Sequence, residues 1–327
     1  MLNNKTILIT GGTGSFGKAF TKYILKNYKP KKVIVFSRDE MKQFEMANQY
    51  PNQKNLRFFI GDIRDRSRLE RALDGVDYVV HAAASKIVPL AEYNPFEYIK
   101  TNIIGSMNLI DKSILCKVKK VISLSTDKAS NPVNLYGATK MVSEKVFSAG
   151  NVYSKIDQTK FGIVRYGNVM GSRGSIIPFF LKLKNNIFPI TDLRMTRFVI
   201  SLDECIKMVL IALKELQGGE IFVPKAPSIK ITDIAKVINP NCKFNIIGIR
   251  PGEKIHESLI SEEEANYTYD YKNYFKLIPA IHINPEKFLK KNIKKVKPNF
   301  SYTSGNNEDW MTKTYLKKWI NKNFENF

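Results

Sequence analysis

An α/β fold with a doubly wound parallel sheet follows from two features of the chain. Short runs rich in Val and Ile alternate with helix-length segments, and a glycine-rich turn, TGGTGSFG (10–17), stands directly between the first run and the first helix. Continuous apolar runs suit strands buried on both faces, and strand alternating with helix implies right-handed parallel crossovers.

Six strands are expected in order: KTILIT (5–10), KKVIVFS (31–37), LRFFIGD (56–62), DYVVHAA (77–83), KKVISLS (119–125) and KFGIVRYG (160–167). Between them, residues 16–27, 64–73 and 95–116 have the length and polarity of helices. After Asn168 the pattern changes: GSRGSIIPFF, PITDLRMTRF and VPKAPSIKITD carry more Gly, Pro and Thr, which shortens the elements. The expected division is therefore a dinucleotide-binding domain over residues 1–168 and a smaller, mainly substrate-binding domain over 169–283 that can interleave with the first. A loose tail over 284–327 is expected to dock through Trp310.

With 327 residues, 43% of them hydrophobic, the chain can bury a large core. It has no run near the ~20 apolar residues of a membrane span, and Met1-Leu2-Asn3-Asn4-Lys5 enters a strand without a signal-peptide pattern. A cytoplasmic protein with no membrane span is expected. Cys116, Cys205 and Cys242 form no C-x-x-C pair and stand at no ligand spacing with the three histidines, so no metal site is expected. The net charge of +22 fits an anionic partner, but the lysines are scattered. The one dense stretch, Lys287 to Lys297, reads as a solvated basic face, and no nucleic acid is expected as a partner.

In the glycine turn, Gly11 can make the tight bend, Gly14 lets a pyrophosphate approach the backbone and Gly17 allows the helix to pack closely on the strand. The following helix N-terminus supplies N–H donors and a positive dipole end, with Thr13, Ser15 and Phe16 in the same loop. At the end of the second strand, Ser37-Arg38-Asp39 offers an arginine for a 2'-phosphate and displaces the acid from the ribose, which favours NADP over NAD. Asp62-Ile63 can meet the adenine, and the small residues of HAAASK, with Ala82 and Lys86, let a cofactor lie close.

Tyr136 and Lys140, four apart in YGATK, share one face of a helix. An ammonium nearby lowers a phenol's pKa and lets it take a proton from an alcohol during oxidation. Just before them stands Asp127-Lys128 in LSTDKA, an acid and a base that a simple alcohol oxidation does not need. The residues alone leave this pair open between an exposed turn and an acid–base couple.

From Thr6 to about Phe275 the chain resembles the extended short-chain dehydrogenase/reductase family, a Rossmann fold. Within it, GGTGSFG, SRDE, AEYNPFE, KTNI, LSTDKA, NPVNLYGATK, RYGNVMGSRGS, ITDLRMTRF and IRPGEKIHE are closely similar to the inverting UDP-N-acetylglucosamine 4,6-dehydratases of pseudaminic acid synthesis. The resemblance implies an NADP-dependent lyase acting on a UDP-sugar: C4 is oxidised, water is lost across C5 and C6, and the hydride returns to C6. Its product would be UDP-2-acetamido-2,6-dideoxy-β-L-arabino-hex-4-ulose. In that chemistry Lys128 is the candidate C5 base, made neutral by the cations Lys86 and Lys140. Asp127 is the acid for the leaving hydroxyl, with its pKa raised by burial.

The resemblance also implies Lys42, Thr101 and Val169 at the cofactor, and Lys86, Thr126, Asn168, Arg173, Thr191, Arg197, Arg250 and Glu253 around the substrate, in a homo-oligomer. Ser85 and Ile87 flank Lys86 where close relatives carry Met and His, which loosens the implied sugar preference. The alternatives are a UDP-sugar 4-epimerase, which has no use for the Asp127-Lys128 pair, a C5-epimerising dehydratase of capsule synthesis, and a non-catalytic NADP- or RNA-binding protein.

Overall fold

A computed structural model of the chain describes residues 1–154, 158–172, 174–183, 186–280 and 285–324. The six expected strands form: β1 (Thr6–Thr10), β2 (Lys32–Ser37), β3 (Leu56–Ile60), β4 (Tyr78–His81), β5 (Lys120–Thr126) and β6 (Lys160–Tyr166). They pair in parallel in the order β3-β2-β1-β4-β5-β6, so the direction of winding reverses between β1 and β4. Ligands of such sheets bind outside the carboxyl ends of the strands at this reversal.

On the faces lie α1 (Ser15–Asn27), α2 (Glu40–Ala47), α3 (Arg66–Leu73), α4 (Val88–Tyr93), α5 (Pro95–Tyr98), α6 (Gly105–Leu115) and α7 (Leu135–Tyr153). The single helix expected over 95–116 is interrupted by a π-helical turn, Ile99–Ile104, in which Thr101 and Asn102 are buried. Such turns insert an extra residue and redirect side chains, often near functional sites. Apolar residues from both faces of the sheet close two cores, one around Phe36, Leu109 and Phe161, the other around Phe20, Ile122 and Val164.

In the second half, β7 (Asn168–Val169), β9 (Thr196–Ile200) and β11 (Ser228–Lys230) form a three-stranded sheet. Next to it, β8 (Ile187–Ile190) pairs with β12 (Lys243–Ile246). Helices α8 (Ile176–Leu181) and α10 (Ile231–Ile238) cover them through Phe180, Phe188, Ile229 and Ile234. The segments on either side of Asn168 interleave. After α9 (Leu202–Glu215), β10 (Ile221–Pro224) returns to pair in parallel with β6, and β15 (Tyr274–Leu277), β14 (Thr268–Asp270) and β16 (Lys294–Lys295) extend the same sheet antiparallel to ten strands. Helix α9 opens on a capping box, Ser201 with Glu204.

The segment beyond residue 284 is not loose. Besides β16 it carries β17 (Tyr302–Thr303), paired with β13 (Ser258–Ile260), and α11 (Lys313–Asn323). Trp310 bridges Ser228 through its backbone and is 39% exposed. Leu316, Ile320 and Trp319 do the docking instead, because α11 turns that face to the α8/α10 core.

Arg165 on β6 ties the two halves together. Its guanidinium bonds Glu144 of α7 at 3.0 and 2.6 Å and Glu264 at 2.8 Å twice, with only 2% of its side chain exposed. This holds the β13-side segment, and with it Glu257, against the end of β5.

Candidate active site at the strand ends

The β1–α1 turn is built to approach something closely. Gly11 has φ +63°, and a Cβ there would stand 2.8 Å from the Ala82 backbone, so the turn is pressed onto the end of β4. A Cβ at Gly17 would lie 2.4 Å from the Gly12 carbonyl oxygen, which is why the helix can pack so tightly. Gly14 is the N-cap of α1 and brings no side-chain acceptor of its own. Thr13 Oγ1 bonds Ser37 Oγ at 2.9 Å, joining the turn to the end of β2. A diphosphate fits this donor set: backbone N–H groups at a helix N-terminus behind a turn that only glycine can make.

At the end of β2 the two charged residues part company. Asp39 caps α2, accepting from Lys42 N at 2.9 Å, and its carboxylate is also held by the Lys42 ammonium. Arg38 is 58% exposed and reaches Asp62 at 3.4 Å. Asp62 is gripped more firmly by Arg64, at 2.7 Å. Burial pushes the Asp62 carboxyl up, but the Arg64 bonds outweigh it and hold it below its ordinary value. Ile63 is buried against Gly105.

Beyond β4 the loop Ala82 to Ile87 is clamped by a residue the sequence reading passed over. Asn102, turned inward by the π-helical turn beside Thr101, accepts from Ser85 N at 2.9 Å and donates to Ser85 O at 2.9 Å and Thr139 Oγ1 at 3.0 Å. Ser85, Lys86 and Ile87 line a cleft with Leu90, Asn94 and Tyr98. The departures at 85 and 87 thus sit on the cleft wall.

The reactive residues gather at the end of β5. Asp127 is fully buried in a 3-10 turn that β5 leads into, and its Oδ1 lies 3.1 Å from Lys128 Nζ and accepts from Thr126 Oγ1 at 3.0 Å. Among the described residues its Oδ2 and the Ser125 Oγ are buried with no partner, the condition of groups awaiting a ligand. Burial raises the Asp127 pKa, as expected. Asn134 caps α7 by accepting from Gly137 N at 2.8 Å, which sets Tyr136 and Lys140 on the inward face of the first turns.

Three expectations about charge are corrected. First, Tyr136 is not depressed: burial raises its phenol to about 12, outweighing a hydrogen bond with Thr126 and the cation of Lys128. Second, Lys140 donates to Leu124 O at 2.7 Å and is itself lowered by burial to about 8, so the ammonium that acts on the phenol belongs to Lys128. Third, Lys128 is not made neutral by Lys86 and Lys140. Burial pulls its pKa down, but Asp127 and Glu257 override this and leave it raised. Glu257, 2% exposed, is a second residue the sequence reading missed: its Oε1 lies 3.0 Å from Lys128 Nζ.

On the substrate side, Asn168 and Val169 are half-buried on β7, and Thr191 is buried just after β8. Arg197 on β9 is buried and spends its guanidinium on Thr196 O at 2.6 Å and Ile255 O at 3.1 Å, with Nε 3.8 Å from Glu257. Arg250 and Glu253 pair with each other at 2.5 Å, although Glu253 Oε2 is buried without a partner among the described residues. Arg173 lies outside the described residues.

Comparison with known proteins gives three findings. Residues 7–294 match the model of a family described as "Polysaccharide biosynthesis protein". The chain is 53% identical, over 98% of both chains, to a protein of Campylobacter jejuni subsp. jejuni serotype O:2 named "UDP-N-acetylglucosamine 4,6-dehydratase (inverting)", and 43% identical, over 94% of this chain and 92% of the other, to a Rickettsia bellii protein named "UDP-glucose 4-epimerase". Among solved structures, Pen from Bacillus thuringiensis superposes with a TM-score of 0.90 at 37% identity over 98% of both chains. The fold also matches DesIV, a dTDP-glucose 4,6-dehydratase of Streptomyces venezuelae solved with NAD bound, with a TM-score of 0.69 at 23% identity over 76% of this chain and 86% of that one.

Proposed function

The chain belongs to the polysaccharide biosynthesis protein family, and from that premise we propose that it is a C5-inverting UDP-N-acetylglucosamine 4,6-dehydratase. The observation that carries the reading is the buried Asp127–Lys128 contact of 3.1 Å beside Tyr136, an acid–base pair in a site otherwise equipped for alcohol oxidation.

A nicotinamide cofactor, held by the glycine turn of residues 11–17, would supply a hydride acceptor for sugar C4 and a hydride donor for C6. Tyr136, with Thr126 hydrogen-bonded to it, holds the C4 hydroxyl and receives its proton in the phenolate form, which the Lys128 cation favours against the burial that keeps the phenol protonated at rest. With C4 a carbonyl, the C5 hydrogen is acidic. One proton passed from Lys128 Nζ to Asp127 Oδ1 turns the resting ion pair into a neutral amine and a carboxylic acid, and the burial that raises Asp127 makes this transfer less costly. The amine then takes the C5 proton, and Asp127 gives its own to the departing C6 hydroxyl, which leaves as water. Lys128 ends as ammonium and Asp127 as carboxylate, as they began, and as C6 gains its hydride C5 takes a proton from water on the face opposite Lys128, matched by the C4 proton that Tyr136 passes to solvent.

The cofactor is NADP in this reading. Support comes from Asp39, which is occupied as the α2 cap and by Lys42, and from Arg38, which stands exposed beside it with a guanidinium suited to a 2'-phosphate. Gly11, Thr13, Gly14, Ser15, Phe16 and Gly17 would hold the diphosphate, Asp62 and Ile63 the adenine end. The UDP-sugar would lie over Lys86, Thr126, Asn168 and Thr191, with Arg250 leaving Glu253 for a phosphate. A homo-oligomer in the cytoplasm belongs to the same reading, supported by the 85% and 75% exposed rings of Tyr93 and Phe96 and by three free cysteines.

The test is incubation with UDP-N-acetylglucosamine and NADP. The dehydratase gives a nucleotide sugar lighter by one water and bearing a C6 methyl in its proton spectrum. A product of unchanged mass, epimerised at C4, would instead support the epimerase function named for the Rickettsia relative.

A further inference from the structure

Glu257 has no part in the proton cycle above, yet it is the second carboxylate on Lys128. It lies just ahead of β13, 2% exposed, with Oε1 3.0 Å from Lys128 Nζ and 3.8 Å from Arg197 Nε, while Oε2 is buried without a partner among the described residues. A buried carboxylate this poorly satisfied persists only where a cation compensates it. The charged and titratable groups facing Lys128 come from four places: Asp127 in its own turn, Glu257 and Lys254 in the loop before β13, Arg197 on β9 and Tyr136 on α7.

The two carboxylates act differently. Asp127 is the neighbour to which Lys128 can hand a proton and from which the leaving group can receive it. Glu257 is lowered: burial pushes it up, but Lys128 and Arg197 outweigh that, so it stays an anion while the proton moves elsewhere. A fixed anion at 3.0 Å anchors the ammonium and opposes its conversion to an amine.

We infer that Glu257 is a positioning residue for the dehydration step, holding Lys128 Nζ in place and setting the pH range over which that amine can take a proton. The inference rests on the proposed dehydratase reading. Glu257 closes the IRPGEKIHE stretch, but spacing does not pair it with Lys128, since the two meet through the packing of the loop before β13 on the end of β5.

The test compares wild type, Glu257→Gln and Glu257→Asp in pH profiles of dehydration of UDP-N-acetylglucosamine, with NADP binding measured alongside. Glu257→Gln is expected to lower the plateau kcat about 10- to 100-fold with KM unchanged. It should also move the alkaline limb of the profile about 1–3 pH units lower, because the proton shared by Lys128 and Asp127 is held by one anion fewer. Glu257→Asp should fall between, and serves alone if the glutamine variant does not fold. A nitrogen NMR titration of labelled lysine should show the Lys128 amine forming at lower pH in the variants, with or without turnover. An unmoved limb and titration, with only a lower melting temperature, would reduce Glu257 to a structural group and overturn the inference. Wild-type protein that yields no dehydrated product would sink the dehydratase reading itself, and that arm is read first.

Discussion

Replacing Lys128 by Met keeps most of the side-chain stem and removes the ammonium from between two carboxylates whose side chains are 1% and 3% exposed. Removing one partner of a buried ion pair costs about 3–5 kcal/mol because the remaining charge is uncompensated. At ~2–4 °C per kcal/mol the melting temperature should fall by on the order of 10 °C near pH 8. The sign of the pH dependence follows. Without the cation, Asp127 and Glu257 both have folded pKa values above their unfolded ones, so the folded state binds more protons and the variant's stability falls as pH rises. The deficit should therefore shrink at pH 5. Turnover should drop about 10²–10⁴-fold, the usual contribution of a general base, while NADP binding is retained. The assays are thermal melts at pH 5 and 8 and a product time course by proton NMR. A variant that turns over at the wild-type rate would remove Lys128 from the mechanism, and one with no pH-dependent deficit would refute the electrostatic argument.

Arg38→Ala should weaken NADP binding about 10- to 100-fold, since a charge-assisted bond contributes about 1.5–3 kcal/mol, and leave NAD nearly unaffected; fluorescence titration with each dinucleotide checks this. Gly11→Ala forces a Cβ into a φ of +63° and to 2.8 Å from Ala82, so it should cost about 1–3 kcal/mol and weaken cofactor binding, read by thermal melts with and without NADP. Lys140 has a folded pKa of about 8, below the ~10.4 of a free lysine. Between these values the unfolded chain binds more protons, so wild-type stability measured against Lys140→Met should rise as pH goes from 8 to 10. Urea unfolding of both proteins at several pH values would show it, and a flat difference would contradict it.

The features that were legible in the sequence are local ones. The glycine turn could be read because it stands between a strand and a helix, and the gathering of Asp127, Lys128 and Tyr136 because they are neighbours along the chain, although Lys140 serves Leu124 O and not the phenol. The capping box of Ser201 and Glu204 was equally readable but was passed over, and with it α9. What could not be read depends on distant packing. Lys128 is held as a cation by Asp127 beside it and by Glu257, which is brought to 3.0 Å from the far side of the chain, and Tyr136 is raised because the site buries it. Spacing carries no information on either. The return of β10 to the main sheet was hidden for the same reason: Ile221-Phe222-Val223-Pro224 is a short apolar run that could have stayed in a second domain.

The account stands on proton removal at C5 by the Asp127–Lys128 pair, and one experiment addresses it directly. UDP-N-acetylglucosamine is incubated with the protein and NADP in deuterated water, and C5 of the product is examined by NMR at early times. The prediction is a C6-methyl keto sugar carrying deuterium at an inverted C5. A sugar that keeps its original C5 hydrogen and its C6 hydroxyl would contradict it.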